Sequence, residues 1–184
     1  MFTVNTNMAI KMNRGDDVQF PLFVNNGTRT NPIRYKFEEN DGCEVYFYLL
    51  PVNMSYENFV LKKTFRTSGE ILTQKSIKEE PTIVQSQTIN QYNDIVITLD
   101  MSDTIDLEPK QYLYVVRAKI LTEKINSPNI VKPINREPDS NLVGYGEADY
   151  MILSDSTAQY TTLQITNKYN FYLLDDDVNR AWWG

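Results

Sequence analysis

Short runs in which apolar and polar residues alternate recur along the chain and predict β-strands. In residues 18–24 every second side chain is apolar, so one face of the predicted strand can pack against a core. Pro21 lies inside this run and has no N–H to offer a neighbouring strand, which places the run at a sheet edge or beside a bulge. Residues 44–50 also alternate, but apolar or aromatic side chains occupy both faces, and Pro51 ends the run.

Further strand candidates are separated by turn residues. They are residues 58–65, 94–99, 111–121, 159–165 and 169–174. Residues 66–91 are more weakly patterned and predict at most one strand, around residues 83–89, whereas residues 103–109 predict a corner or a single helical turn. Long stretches with an apolar stripe of helical period are absent from the sequence. The even spacing of short strands predicts an all-β fold, an antiparallel sandwich or barrel, with its core in residues 8–121.

Residues 122–149 break this pattern. The segment contains three prolines separated by polar residues, and a Gly-Tyr-Gly sequence lies near its end. A loop of this length without secondary structure is uncommon in a compact domain and is usually functional or a linker. We therefore expect one β-sandwich domain over residues 1–184, with residues 122–149 as an extended arm and residues 175–184 as a C-terminal tail.

Large aromatic residues near the arm and the tail are candidate interface residues. Trp182 and Trp183 are two large apolar side chains in the tail, and they must pack on their own domain or on a neighbour. Tyr145 and Tyr150 lie in the arm and just after it. Tyrosine and tryptophan are enriched among interface hot spots, so we predict that these four residues contact neighbouring chains.

Composition removes several kinds of chemistry. The chain has no histidine and one cysteine, Cys43, which excludes Ser-His-Asp and Cys-His catalysis, imidazole zinc sites and an intrachain disulfide. The net charge of −6 argues against binding of nucleic acid through a broad, positively charged surface. The apolar runs are too short to span a bilayer and residues 1–5 do not resemble a secretory signal, so we expect no membrane insertion.

The carboxylates give no clear cofactor or metal site, and we predict neither. Asp175, Asp176, Asp177 and Asn179 could ligate calcium, but the run lacks the glycine and glutamate of an EF-hand and fits a solvated acidic turn. We therefore expect no bound metal at this position.

Two segments of the chain carry a recognisable succession of turns and strands. The first has NRGDDVQFPLFV at residues 13–24 and DGCEVYF at residues 41–47. The second has DIVITL at residues 94–99, followed by an Asp-Thr pair, a leucine, a proline and a Tyr-Leu-Tyr sequence within residues 103–114. Together they resemble phage baseplate upper proteins over residues 8–121.

The resemblance implies a non-enzymatic virion structural protein of a tailed phage that docks on other virion proteins. The fold it implies is an antiparallel immunoglobulin-like β-sandwich, here with one long extended arm. Such a protein would be made in the host bacterial cytoplasm and form a homo-oligomer in the particle. Its place would be the tail or baseplate, or the capsid as a decoration or head-fibre base. Lys110 departs from the family, which usually has glycine there.

Two other functions stay open at this point. A carbohydrate-binding β-sandwich could recognise host surface glycans by stacking sugars on exposed tyrosines and tryptophans. A glycosidase would need two carboxylates close together, and any two of the 24 acidic residues could supply them. Glu44 and Glu57 lie beside aromatic residues, but no spacing singles out a pair.

Overall fold

The computed structural model describes residues 2–27, 30–124, 147–152 and 160–175. The strands in these ranges are β1 (Phe2–Val4), β2 (Ile10–Asn13), β3 (Val18–Leu22), β4 (Glu44–Pro51), β5 (Leu61–Arg66), β6 (Glu70–Gln74), β7 (Thr82–Gln85), β8 (Ile95–Leu99), β9 (Gln111–Leu121), β10 (Glu147–Ile152), β11 (Tyr160–Gln164) and β12 (Tyr169–Leu174). The helix α1 (Met101–Thr104) is a single turn, and short 3-10 turns lie at Tyr56–Asn58 and Thr122–Lys124. The predicted all-β, sandwich-like class is confirmed. Across these same ranges, the helices are too short and polar for any of them to cross a membrane.

Strand β9 is the centre of the larger sheet, whose order is β1-β2-β12-β9-β4-β5-β6-β7. One edge of β9 pairs with β4. The other edge pairs with β11 and β12, which run in the same direction and are separated by a short irregular stretch. In that stretch the N–H groups of Ile165 and Thr166 both donate to the carbonyl of Val116, at 2.8 and 3.3 Å. The two strands therefore behave as one long strand interrupted by a bulge.

A second, two-stranded sheet of β3 and β8 covers one face of the larger sheet. Its apolar residues, such as Leu22 and Ile97, share one buried cluster with Phe47 of β4 and Tyr114 of β9. Phe47 and Tyr114 stack with their ring centroids 5.8 Å apart. We call this covered face of the larger sheet the inner face, and the opposite one the outer face.

A buried ion pair on the inner face joins β5 of the larger sheet to the helix α1. Lys63 points inward from β5, and its Nζ lies 2.7 Å from Oδ2 of Asp103 in α1. The side chains are 2% and 1% exposed. Asp103 Oδ2 also accepts the N–H of Asp100 at 2.8 Å, in a capping box that begins the helix. The predicted helical turn within residues 103–109 is thus present, although it begins two residues earlier.

Several predicted elements need correction. Residues 66–91 contain two strands, β6 and β7, rather than at most one. The core extends beyond residues 8–121, because Leu163 and Phe171 are buried in it and β12 lies between β2 and β9. The pair β2–β12 is parallel, so the larger sheet is mixed rather than antiparallel.

The predicted arm is only partly described. Its first three residues form a 3-10 turn, and residues 147–149 belong to β10, which pairs with β11. Residues 125–146 lie outside the described residues, as do residues 176–184 of the tail.

Candidate binding surfaces

Strand β7 forms an open edge of the larger sheet. Its partner on one side is β6, and no other described strand pairs with it. Ser86, just past β7, donates its N–H to the carbonyl of Gly69 at 2.7 Å. Because hydrogen-bonded pairs alternate along antiparallel strands, Val84 bonds to β6, whereas the N–H and C=O groups of Ile83 and Gln85 point away from the sheet.

This edge is also apolar for an exposed strand. All four residues of β7 are exposed, and Ile83 and Val84 are each 55% exposed. Ile77, in the turn before β7, is 58% exposed. Sheet edges are normally protected by charged residues, bulges or covering loops, yet β7 contains no charged residue. The edge is therefore suited to pairing with a strand of another chain.

A second candidate surface lies on the outer face, where the register of three strands brings distant residues together. Two neighbouring cross-strand rows run from β5 through β4 to β9: Thr64, Tyr46 and Arg117 in one, and Arg66, Glu44 and Lys119 in the other. With their neighbours these residues form the surface that we call the aromatic–cationic face: Tyr46, Tyr48, Tyr56, Lys62, Arg117, Lys119 and Lys168.

Cations lie over aromatic rings throughout this face. The Nζ of Lys62 is 5.3 Å from the ring centroid of Tyr46 and 5.5 Å from that of Tyr48. The Nζ of Lys119 is 4.6 Å from the ring centroid of Tyr160. Contacts of this kind attract a cation to the negative face of a ring and hold a flexible side chain in place.

Tyr56 contacts two cations of the face. The guanidinium carbon of Arg117 is 4.8 Å from the Tyr56 ring centroid, and the Nζ of Lys168 is 5.4 Å from it. The Tyr56 hydroxyl donates to Oε1 of Gln164 at 2.9 Å, and its ring packs edge-on against Tyr48 at a centroid distance of 5.0 Å. The ring that orients Arg117 is therefore itself fixed at both ends.

Few carboxylates neutralise these cations. Arg66 pairs with Glu44 at 2.7 Å and with Glu70 at 2.8 Å. By contrast, within the described part of the chain no carboxylate lies within 4.0 Å of four cations of the face, namely Lys62, Arg117, Lys119 and Lys168. The Nε of Arg117 is buried and has no hydrogen-bond partner among the residues that the structure describes. The face is locally positive on an acidic protein.

Glu44 is held as a carboxylate. Burial opposes its ionisation, but hydrogen bonds from the Tyr46 hydroxyl and from Arg66, together with the charge of Lys119, outweigh this effect and lower the pKa of the Glu44 carboxyl. The general acid of a glycosidase needs a raised pKa, so Glu44 does not suit that role. Glu57 lies exposed in a 3-10 turn.

Shallow grooves accompany the face. One of about 260 Å³ lies between β4, β5 and β6, and its lining residues are Glu44, Tyr46, Lys62, Thr64, Arg66, Leu72, Gln74 and Pro81. Two grooves of about 390 Å³ each lie around Thr67 and Ser68, at the turn between β5 and β6. None is a deep apolar pocket of the kind that encloses a small-molecule substrate.

The described residues offer little for catalysis. Burial raises the pKa of the Cys43 thiol to about 12, so this cysteine is not a thiolate nucleophile at neutral pH. No group of three or more Asp, Glu or Cys residues is arranged to hold a metal ion in residues 2–27, 30–124, 147–152 and 160–175. Asp175 lies 3.6 Å from Arg14 in an ion pair, while Asp176, Asp177 and Asn179 lie outside the described residues.

The four predicted interface residues are not brought together in the described structure. Tyr145, Trp182 and Trp183 lie outside the described residues, and Tyr150 lies on β10, which is described by its backbone. Sequence reasoning missed both candidate surfaces. The one sequence signal for the open edge is that Ile83 and Val84, two adjacent apolar residues, lie in an otherwise polar stretch.

No family model, curated protein or solved structure matches the chain. The function is therefore inferred from the geometry of the two candidate surfaces.

Proposed function

We propose that this protein is a non-enzymatic structural component that docks on other protein chains through the open edge of β7. The observation that carries this proposal is an exposed, uncharged, apolar strand whose outward main-chain groups have no strand beside them among the described residues. Adding a strand to such an edge is a common mode of protein recognition. The resemblance of residues 8–121 to phage baseplate upper proteins supports a virion as the setting, in the tail, baseplate or capsid.

The simplest partner is a second copy of the chain. Two β7 strands can pair antiparallel about a twofold axis at Val84, so that Ile83 of each copy faces Gln85 of the other. Both residues direct their main-chain groups outward, so the pairing forms four hydrogen bonds, each contributing about 0.5–1.5 kcal/mol. The two Val84 side chains also meet at the axis and bury apolar surface. A twofold interface of this kind is the commonest in homo-oligomers.

An Ile83→Lys variant tests this proposal. Lysine on an edge strand disfavours pairing, and two such charges beside the axis would repel each other. Met101→Lys is the matched control, because Met101 is also 55% exposed but lies in α1 rather than on β7. Sedimentation velocity over a concentration series, with mass photometry, would measure the oligomeric state.

We expect the unchanged chain and Met101→Lys to associate alike, and Ile83→Lys to stay monomeric over the same range. An unchanged chain that is monomeric at high concentration and binds no virion protein would contradict the proposal. So would an Ile83→Lys variant that assembles as well as the control.

A further inference from the structure

We propose that the aromatic–cationic face is a binding site for an acidic oligosaccharide, with carboxylate groups on its sugar rings. This site lies on the outer face of the larger sheet rather than at its edge, so the inference does not depend on the docking proposed for β7. It rests on three features. Cations without a carboxylate partner among the described residues lie against tyrosine rings, a polar groove lies beside them, and the main-chain groups of β4 are already hydrogen-bonded to neighbouring strands.

The unpaired cations are the first feature. Exposed lysines are ordinarily solvated, and a single one carries no information. Here, however, Lys62, Arg117 and Lys168 converge on adjacent tyrosine rings at 4.8 to 5.5 Å. Because the rings restrict these side chains, less conformational entropy is lost when they bind an anion.

Arg117 is the central donor of the face. It lies half-buried in the same cross-strand row as Tyr46, and no carboxylate in the described ranges lies within 4.0 Å of its guanidinium. A planar guanidinium matches the two oxygens of a carboxylate, and such charge-assisted pairs are the stronger hydrogen bonds in proteins. A carboxylate is therefore the group that this arginine suits best.

The groove gives the site its preference for sugars. Thr64 and Gln74 offer a hydroxyl and an amide that can both donate and accept hydrogen bonds, as sugar hydroxyls require. Leu72 and Pro81 supply small apolar surfaces beside them. Lys62 lines the same groove, and Glu44, which also lines it, is paired with Arg66, so an acidic sugar bound at the Lys62 end would keep its charge next to a cation.

The position of β4 argues against an acidic peptide as the ligand. Peptides that bind sheets usually do so through main-chain hydrogen bonds at an open edge. Strand β4 is paired on both sides, with β5 and with β9, so its main-chain groups are already used. The face can recognise a ligand only through side chains.

Calorimetric titration with an oligogalacturonate tests the inference. A maltooligosaccharide of equal length serves as the neutral comparison, and a poly-aspartate peptide of equal charge serves as the peptide comparison. We expect saturable binding of the oligogalacturonate that weakens as salt is raised, because exposed ionic contacts are screened. Equal or tighter binding of poly-aspartate, preference for the neutral sugar, or no binding would overturn the inference.

Variants locate the site. Arg117→Gln should weaken oligogalacturonate binding at least about tenfold, the effect of losing a hydrogen bond between charged groups. Lys62→Gln should weaken it less, and it carries the test if Arg117→Gln fails to fold. The matched control is Lys11→Gln: Lys11 also lies over a tyrosine ring, at 5.7 Å from Tyr172, but on β2. A loss in Lys11→Gln equal to that in Lys62→Gln would show general charge attraction and refute the site.

The Ile83→Lys variant separates this inference from the proposed function. It should lose association between copies yet bind oligogalacturonate at least as tightly, because Ile83 lies opposite Leu72 at the border of the groove without lining it, and a lysine there adds a positive charge. Loss of both properties in this variant would contradict the independence of the two surfaces. Loss of binding in Arg117→Gln with association unchanged would support it.

Discussion

Removing one member of the Lys63–Asp103 pair should destabilise the fold severely. Both side chains are almost fully buried, and their charged atoms lie 2.7 Å apart. Breaking a buried pair by deleting one partner typically costs about 3–5 kcal/mol, because the remaining charge is left without compensation. At about 2–4 °C per kcal/mol for a chain of this size, Lys63→Met should lower the melting temperature by about 6–20 °C.

The pH dependence of this loss has a definite sign. Burial raises the pKa of Asp103 above its ordinary value of 3.8, against the opposing effect of Lys63, and removing Lys63 should raise the pKa of Asp103 further. A raised folded-state pKa means that protonation favours the folded state. The cost of Lys63→Met should therefore be greatest at neutral pH and shrink as the pH falls towards 4. Asp103→Asn leaves an ammonium group that acid cannot neutralise, so its cost should not shrink in this range.

Urea unfolding of both single variants and of the double variant at pH 7 and pH 4.5 would measure these effects. The double variant Lys63→Met/Asp103→Asn should be more stable than either single variant, because it leaves no buried charge and the asparagine can still accept the N–H of Asp100. Single-variant losses below about 1 kcal/mol, the range of exposed pairs, would refute the reasoning. So would a cost of Lys63→Met that grows as the pH falls.

Three further predictions concern single residues. Gly42→Ala should lower the free energy of unfolding by about 1–3 kcal/mol, because Gly42 has φ +75° and a Cβ there would collide with the Tyr160 hydroxyl. Urea titration measures this, and an unchanged midpoint would contradict it. Glu44 has a lowered pKa, so its stabilisation is present above the ordinary value of 4.5 and is lost as the pH falls through the folded-state pKa. Glu44→Gln should therefore flatten the acid limb of a stability–pH curve, and a curve parallel to that of the unchanged chain would argue against it. Tyr114→Phe should cost about 1–3 kcal/mol in thermal unfolding, since the buried Tyr114 hydroxyl donates to the carbonyl of Met8 at 2.5 Å; a neutral substitution would show that water replaces it.

Alternation predicted the strands that have one face in the core. Strands β3, β4, β8 and β9 follow their predicted segments closely, and β11 and β12 lie where the later patterns indicated. The strand predicted around residues 83–89 overlaps β7, whereas the sequence does not predict β6, because only Ile71 of its five residues is buried and burial therefore imposes no alternation there. Strand β2 has only two buried positions in its pattern, Ile10 and Met12, which is too few to predict from the sequence.

The outer face could not be predicted in the same way. Alternation in β4 does place Tyr46 and Tyr48 on the face opposite Phe47, but it does not show what lies beside them. Arg117 reaches Tyr46 only through the register of β4 and β9. The bond between Tyr56 and Gln164 joins residues that are 108 positions apart. Register over such distances depends on the packing of the whole sheet, which local patterns do not contain.

The parallel pairing of β2 with β12 has a consequence for how the chain is made. Residues 10–13 complete their hydrogen bonding only with residues 169–174, which the ribosome adds much later. Until then Ile10 and Met12, both fully buried in the finished fold, have no strand beside them on that edge. Contacts between such distant segments slow folding and prolong the exposure of unpaired strands. A nascent chain halted before β12 should therefore be a substrate for chaperones.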